Sequence, residues 1–137
     1  MNEDCIFCQI VTGQLPSYKI YEDNNFLAFL DIYPFVKGHT LVVPKKHYRW
    51  VWDVENIGEY MEVCQKVVSH YRNLTGIDRI NTFIFGEKVH HAHIQLLPNI
   101  SPAEMDKIFQ ALALVRNTQL NKEEGEALVR RLSLSQS

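Results

Sequence analysis

The first half of the chain carries short apolar runs of strand length. Residues 18–22 and 25–31 are separated by the polar pair Asp23-Asn24, and Phe26 to Leu30 supplies the apolar content of the second run. The two read as strands joined by a turn. Pro34 and Gly38 bound a loop, after which 39–44 (HTLVVP) reads as a buried strand. Near the N-terminus a short apolar segment runs from Ile6 to Val11, accompanied by Cys5 and Cys8 and broken at 13–16.

From Asp53 to about Thr75 the period changes. Ile57, Tyr60, Met61, Cys64, Val67, Val68 and Tyr71 recur three and four residues apart, the spacing of one helical face, and Gly76 stands where the helix would stop. Two further strands follow at 79–85 and 89–97, with 86–88 reading as a hairpin turn. Two helices close the chain at about 102–117 and 122–133, for which Ser101-Pro102 and Asn121 are suitable starts. Strands, one long central helix and terminal helices predict an α+β fold with a mainly antiparallel sheet.

Charge and composition narrow the function. A net charge of -2, with no Lys/Arg run longer than a pair, argues against a surface that coats nucleic acid, while leaving room for a local anion site. No apolar stretch approaches the ~18 residues of a membrane span. The opening MNEDCIFC is acidic where a signal peptide would be basic, so a cytoplasmic protein is expected. Three cysteines, two of them close together, suit a metal or redox role in a reducing compartment better than a disulfide framework.

The densest chemistry lies in GEKVHHAHIQLLP. Strand alternation places His91, His93 and Gln95 on one face and Ala92, Ile94 and Leu96 on the core face, with His90 falling at the start of that second face. A solvated sheet face would also alternate in this way. The apolar density around the stripe favours a site instead. A neutral imidazole can attack phosphorus directly, splitting one hard displacement into two easier ones, and the middle position of the stripe suits that task.

Cys5-x-x-Cys8 is a second signal. Two thiolates at this spacing can share a tetrahedral zinc, but any further ligands must come from distant residues, His47 or a histidine of the stripe. A redox pair is the alternative, without the alternating strands and helices of a thioredoxin-like fold to support it. Cys64, on the apolar helix face, reads as core.

Taken together, Phe29-Leu30-Asp31-Ile32, the run from Lys37-Gly38-His39-Thr40 to Lys45-Lys46-His47, and His91-Ala92-His93-Ile94-Gln95 resemble the histidine triad (HIT) superfamily in order and spacing. The opening CIFCQIVTGQLPSYKIYED resembles its zinc-containing bacterial members. The resemblance covers roughly residues 5–98. It implies a single HIT-like domain over 1–137, with a core at 1–100 and a helical extension at 101–137. It also implies a homodimer and a purine nucleotide bound beside the histidine strand. On this resemblance His93 is the nucleophile, His39 its support, and Asp31 the holder of the ribose hydroxyls. Phe7, Ile10 and Ile32 fall where the base is sandwiched, and Cys5, Cys8, His47 and His91 fall on the ligands of a structural zinc.

Two departures from the family pattern stand out. Gln95 replaces the third histidine, as in the nucleotidyltransferase branch; an amide still donates to a phosphoryl oxygen but does not titrate near neutrality. The segment before the histidines also reads as shortened, with Glu87 poorly suited to a phosphate and Lys88 offering compensating charge. The expected function is therefore hydrolysis or nucleotidyl transfer at an α-phosphate through a nucleotidyl-histidine. The alternatives are a nucleotide-binding regulatory module with weakened turnover, or a zinc-stabilised scaffold presenting Trp50 and Trp52 to another protein, residues that simple packing under the helix explains equally well.

Overall fold

The structure is a computed structural model and describes residues 2–134. The chain divides into two compact units, Met1–Ser101 and Pro102–Ser137. In the first, helix α1 (Ile6–Val11) precedes strands β1 (Lys19–Glu22), β2 (Phe26–Leu30) and β3 (Thr40–Pro44); helix α2 (Ile57–Thr75) then leads to β4 (Ile80–Phe83) and β5 (Ile94–Pro98). The strands form one sheet in the order β1-β2-β3-β5-β4, antiparallel at every pairing. The α+β expectation with an antiparallel sheet is met.

The central strands of the sheet are buried on both faces, which explains why β2 and β3 read as unbroken apolar runs. Phe26, Ala28, Val42, Ile94 and Leu96 point to one side, where Tyr60, Val63, Cys64 and Val67 of α2 cover them. Leu27, Phe29, Leu41 and Val43 point to the other and pack with Phe7 of α1. Tyr60 ties helix to sheet: its ring stacks on Phe26 at 5.1 Å and its hydroxyl donates to the Val42 carbonyl at 2.5 Å. Gly76 ends α2 in the left-handed region, φ +71°, as its position after the last periodic residue predicted.

Two sequence expectations need correcting. The helix does not start at Asp53. Residues Val51–Asp53 form a separate 3-10 turn, held by the Asp53 carboxylate accepting from the Trp50 amide, and the extended Val54 separates it from α2. Nor do 86–88 form a hairpin turn. β4 and β5 do pair, with Phe83 opposite Gln95, but 84–93 is a long connection. Two bonds to the segment after β3 draw it away from β4: the Ala92 amide donates to the Tyr48 carbonyl at 2.7 Å, and Arg49 binds the Gly86 carbonyl. His90, expected at the start of the core face, is exposed on this connection, while Ala92, Ile94 and Leu96 do enter the core.

In the second unit, α3 (Pro102–Ala113) and α4 (Lys122–Leu132) start where the sequence placed them and end earlier than expected. Asn121 caps α4, accepting from the Glu124 amide at 2.9 Å while its own amide donates to the Glu124 carboxylate. Glu123 and Glu124 in the first turn and Arg130 and Arg131 in the last complement the helix dipole. No helix among the described residues is long and apolar enough to cross a membrane.

Candidate active site and metal centre

Antiparallel pairing of β3 with β5 sets Leu41 opposite Gln95 and so brings His39, just ahead of β3, to the Gln95 side chain. His39 is fully buried, its ring stacked on Phe35. The Phe35 amide donates to its Nδ1 at 3.2 Å, which leaves the ring proton on Nε2. That nitrogen lies 2.9 Å from Gln95 Oε1 and 3.7 Å from an Asp31 carboxylate oxygen. With Oε1 accepting from His39, the amide NH2 of Gln95 is the arm left to donate elsewhere. Asp31 is held in turn by its backbone N–H to the His39 carbonyl and by its carboxylate accepting from the Tyr33 amide.

His93 is oriented with equal definition. Its Nδ1–H donates to the His91 carbonyl at 2.8 Å, so the lone pair sits on Nε2. The edge of Phe7 packs on the ring with centroids 5.2 Å apart. Burial pushes the His93 pKa down, and nearby Arg49 adds to that. The bond to His91 and the Asp31 charge oppose the shift without cancelling it. The imidazole is therefore neutral around pH 7, the form in which Nε2 is a nucleophile.

Behind His93 the fold brings together residues separated by most of the sequence. Ligand atoms of Cys5, Cys8, His47 and His91 all lie within 4.8 Å of one another. Cys5 Sγ and Cys8 Sγ stand 3.3 and 3.4 Å from His91 Nδ1, and Cys8 Sγ stands 3.3 Å from His47 Nδ1. A tetrahedral ion with bonds of about 2.0–2.3 Å spaces its ligands by about 3.3–3.8 Å. The donor set is also tuned as metal ligands are: His91 Nε2–H donates to the Pro44 carbonyl at 2.8 Å, which aims the Nδ1 lone pair at the thiols. Burial raises the Cys8 thiol and lowers His91 to about 4, so His91 stays neutral with its lone pair available to a metal, and a bound cation would favour the Cys8 thiolate. These four residues form a group that could hold a metal ion.

The other expected residues are spread more widely. Phe7 is buried among Phe29, His91 and His93, Ile10 packs partly buried in the same cluster, and Ile32 is exposed. Lys88 is exposed and lines a depression with Cys5, His47 and His90, whereas His93 lines a neighbouring depression of about 230 Å³. Sequence reasoning missed the most conspicuous residue of that second depression, Arg49. Its guanidinium lies 3.6 Å above the Trp50 ring centroid and donates to the Gly86 carbonyl at 2.7 Å. Trp52 and Phe85 complete the aromatic wall. The basic run PKKHYR is the one signal that pointed there.

The HIT domain model matches residues 12–102. The chain belongs to the HIT family. An uncharacterised HIT-like protein of Borreliella burgdorferi is 37% identical over 110 residues, 69% of this chain and 75% of its own length. HIT relatives with named activities include the adenylylsulfatase HINT3 of Arabidopsis thaliana, 32% identical over 90% of this chain and 65% of its own length. Another is the adenosine 5'-monophosphoramidase HNT1 of Saccharomyces cerevisiae, 31% identical over 72% and 64%. Among solved structures, SMU.412c of Streptococcus mutans superposes with a TM-score of 0.74 at 31% identity, over 97% of this chain and 88% of that one. HIT membership supports a nucleotide-related function in general terms.

Proposed function

We propose that this HIT protein hydrolyses or transfers a nucleotidyl group from a purine nucleotide conjugate, with His93 as nucleophile. One observation carries the reading: His93 Nδ1–H is committed to the His91 carbonyl, leaving a neutral Nε2 lone pair beside the Gln95–His39–Asp31 chain. In the first step Nε2 forms a bond to the α-phosphorus while the bond to the leaving group breaks, the leaving group departing with the electron pair. In the second, water or another acceptor attacks phosphorus, loses its proton to solvent, and returns the electron pair to His93. The Gln95 amide donates to the transferring phosphoryl oxygens as charge builds on them. Asp31 binds the ribose hydroxyls, and Phe7, Ile10 and Ile32 flank the base.

Cys5, Cys8, His47 and His91 would hold zinc, whose role with four protein ligands is structural. Two of the relatives support the substrate class, since their names specify adenylyl sulfate and adenosine phosphoramidate chemistry. A homodimer belongs to the same reading and is checked by light scattering. The deciding experiment measures nucleoside monophosphate release from adenosine phosphoramidate, adenylyl sulfate and a dinucleoside polyphosphate, with and without inorganic phosphate, beside His93→Ala. Release by the unsubstituted protein alone, with a nucleotide trapped covalently on it, is expected. Equal trapping on His93→Ala protein sinks the assignment.

A further inference from the structure

The depression beside His93 contains a cation without an acidic partner. Arg49 is only partly exposed and forms no ion pair among the described residues. One of its N–H groups is used on the Gly86 carbonyl, and the rest of its donor fork has no protein acceptor among those residues. Its plane is laid on Trp50. Gly86 is pressed against the same tryptophan: a Cβ there would stand 2.9 Å from Trp50 Cζ3, and its φ of +77° suits glycine. Arginine, tryptophan and glycine therefore brace one another. The rotamer freedom an arginine gives up on binding an anion is already surrendered here, and Arg49 lines the same hollow as His93.

We propose that Arg49 forms a second oxyanion subsite beside His93, which holds a phosphate or sulfate group joined to the α-phosphate of the nucleotide. The assignment rests on His93 as nucleophile, which places the α-phosphate beside this hollow. The preferred donors are those whose leaving group is itself a tetrahedral oxyanion. Such a group gains negative charge as its bond to the α-phosphorus breaks, and a braced guanidinium against aromatic walls stabilises that charge without reorganising. A donor with an uncharged leaving group, such as a phosphoramidate, draws less from Arg49. The shape of a guanidinium matters as well as its charge, because two of its N–H groups can engage one phosphate or sulfate together.

The test is binding, read from the fluorescence of Trp50 and Trp52 in the same hollow and repeated by calorimetry. It uses the full chain with His93→Ala, so that no ligand is consumed. The probes are AMP, ADP, adenylyl sulfate and inorganic pyrophosphate. ADP or adenylyl sulfate is expected to bind at least about tenfold more tightly than AMP. Adding Arg49→Gln should bring that ratio to within about twofold, and Arg49→Lys should restore it in part. A gain for ADP alone assigns phosphate, and a gain for adenylyl sulfate alone assigns sulfate. An unchanged ratio in Arg49→Gln protein that melts normally overturns the proposal, as does no preference over AMP at the outset. Should Arg49→Gln fail to fold, Arg49→Lys decides: a full ratio counts against the subsite, a reduced one for it. Arg49-dependent binding of pyrophosphate without any nucleotide binding would uphold the subsite and reject the nucleotide reading. AMP binding with no gain from a second oxyanion would do the reverse.

Discussion

His39 and Gln95 are joined by one hydrogen bond of 2.9 Å whose direction is set from the far side of the imidazole. Because the Phe35 amide occupies Nδ1, His39 can only donate to Gln95, and Gln95 can only accept with its oxygen. The pair therefore fixes which end of the amide is available to a ligand. Replacing His39 with Leu should free the amide to rotate, lowering kcat for nucleoside monophosphate release by roughly tenfold, about 1.4 kcal/mol, with KM nearly unchanged. Gln95→Glu should cost more, since a carboxylate accepts from His39 but repels the phosphate. Steady-state kinetics with melting curves as the folding control check both; a loss confined to KM would contradict the role.

The four-residue cysteine–histidine group predicts a stability that depends on metal. Zinc content measured on freshly purified, reduced protein should approach one ion per chain, and stripping with a chelator should lower the melting temperature by several degrees. Cys8→Ser should lower zinc content and stability together. Metal-free protein with an unchanged melting curve would refute the site.

Asp23 gives the fold a sensitivity to acid. Burial pushes its carboxyl pKa up, but the amides of Asn25 and Phe26, the Tyr21 hydroxyl and Lys45 outweigh that, so it sits below its ordinary 3.8. A group held lower in the folded than in the unfolded chain adds stability above the unfolded value, and that stability is lost as pH falls through the folded one. Asp23→Ala should therefore destabilise the protein at pH 7, by about 1–2 kcal/mol for the lost turn bonds. The gap between the two proteins should narrow as the pH is lowered below 4. Urea denaturation at pH 7, 5 and 3 measures it, and a gap independent of pH would be the contrary result.

Gly86→Ala tests the brace around Trp50 without replacing a charged side chain. The new methyl meets the indole at 2.9 Å and the backbone is left-handed there, so a loss of about 1–3 kcal/mol is expected, with an altered tryptophan emission. An unaltered spectrum and melting temperature would mean that the loop gives way freely.

What the sequence revealed follows the range of the interactions involved. Strands β1 to β3 and the stop of α2 at Gly76 depend on local apolar runs and local backbone geometry, and both were legible. The 84–93 connection was not, because Ala92 pairs with Tyr48 and Gly86 with Arg49, partners about forty positions away whose choice leaves no periodicity to read. The start of α2 was missed for a local reason: the Asp53 side chain competes for a backbone amide and closes a turn of its own. At the candidate site, His93 and Gln95 emerged from alternation, whereas Cys5, Cys8, His47 and His91 were grouped by family resemblance, and only the fold shows them side by side. Arg49 escaped notice because its meaning lies in Trp50 and Gly86.

The odd and even positions from 91 to 96 serve two separate masters: His91, His93 and Gln95 carry the polar chemistry, and Ala92, Ile94 and Leu96 fill the core under α2. The segment thus behaves like text with a reading frame. Exchanging one odd-numbered letter rewrites reactivity while the packing beneath stays intact. Inserting or deleting a single residue would swap every role at once, sending imidazoles into the core and aliphatic carbons to the polar face. Drift in chemistry is open to this strand; drift in length is closed to it.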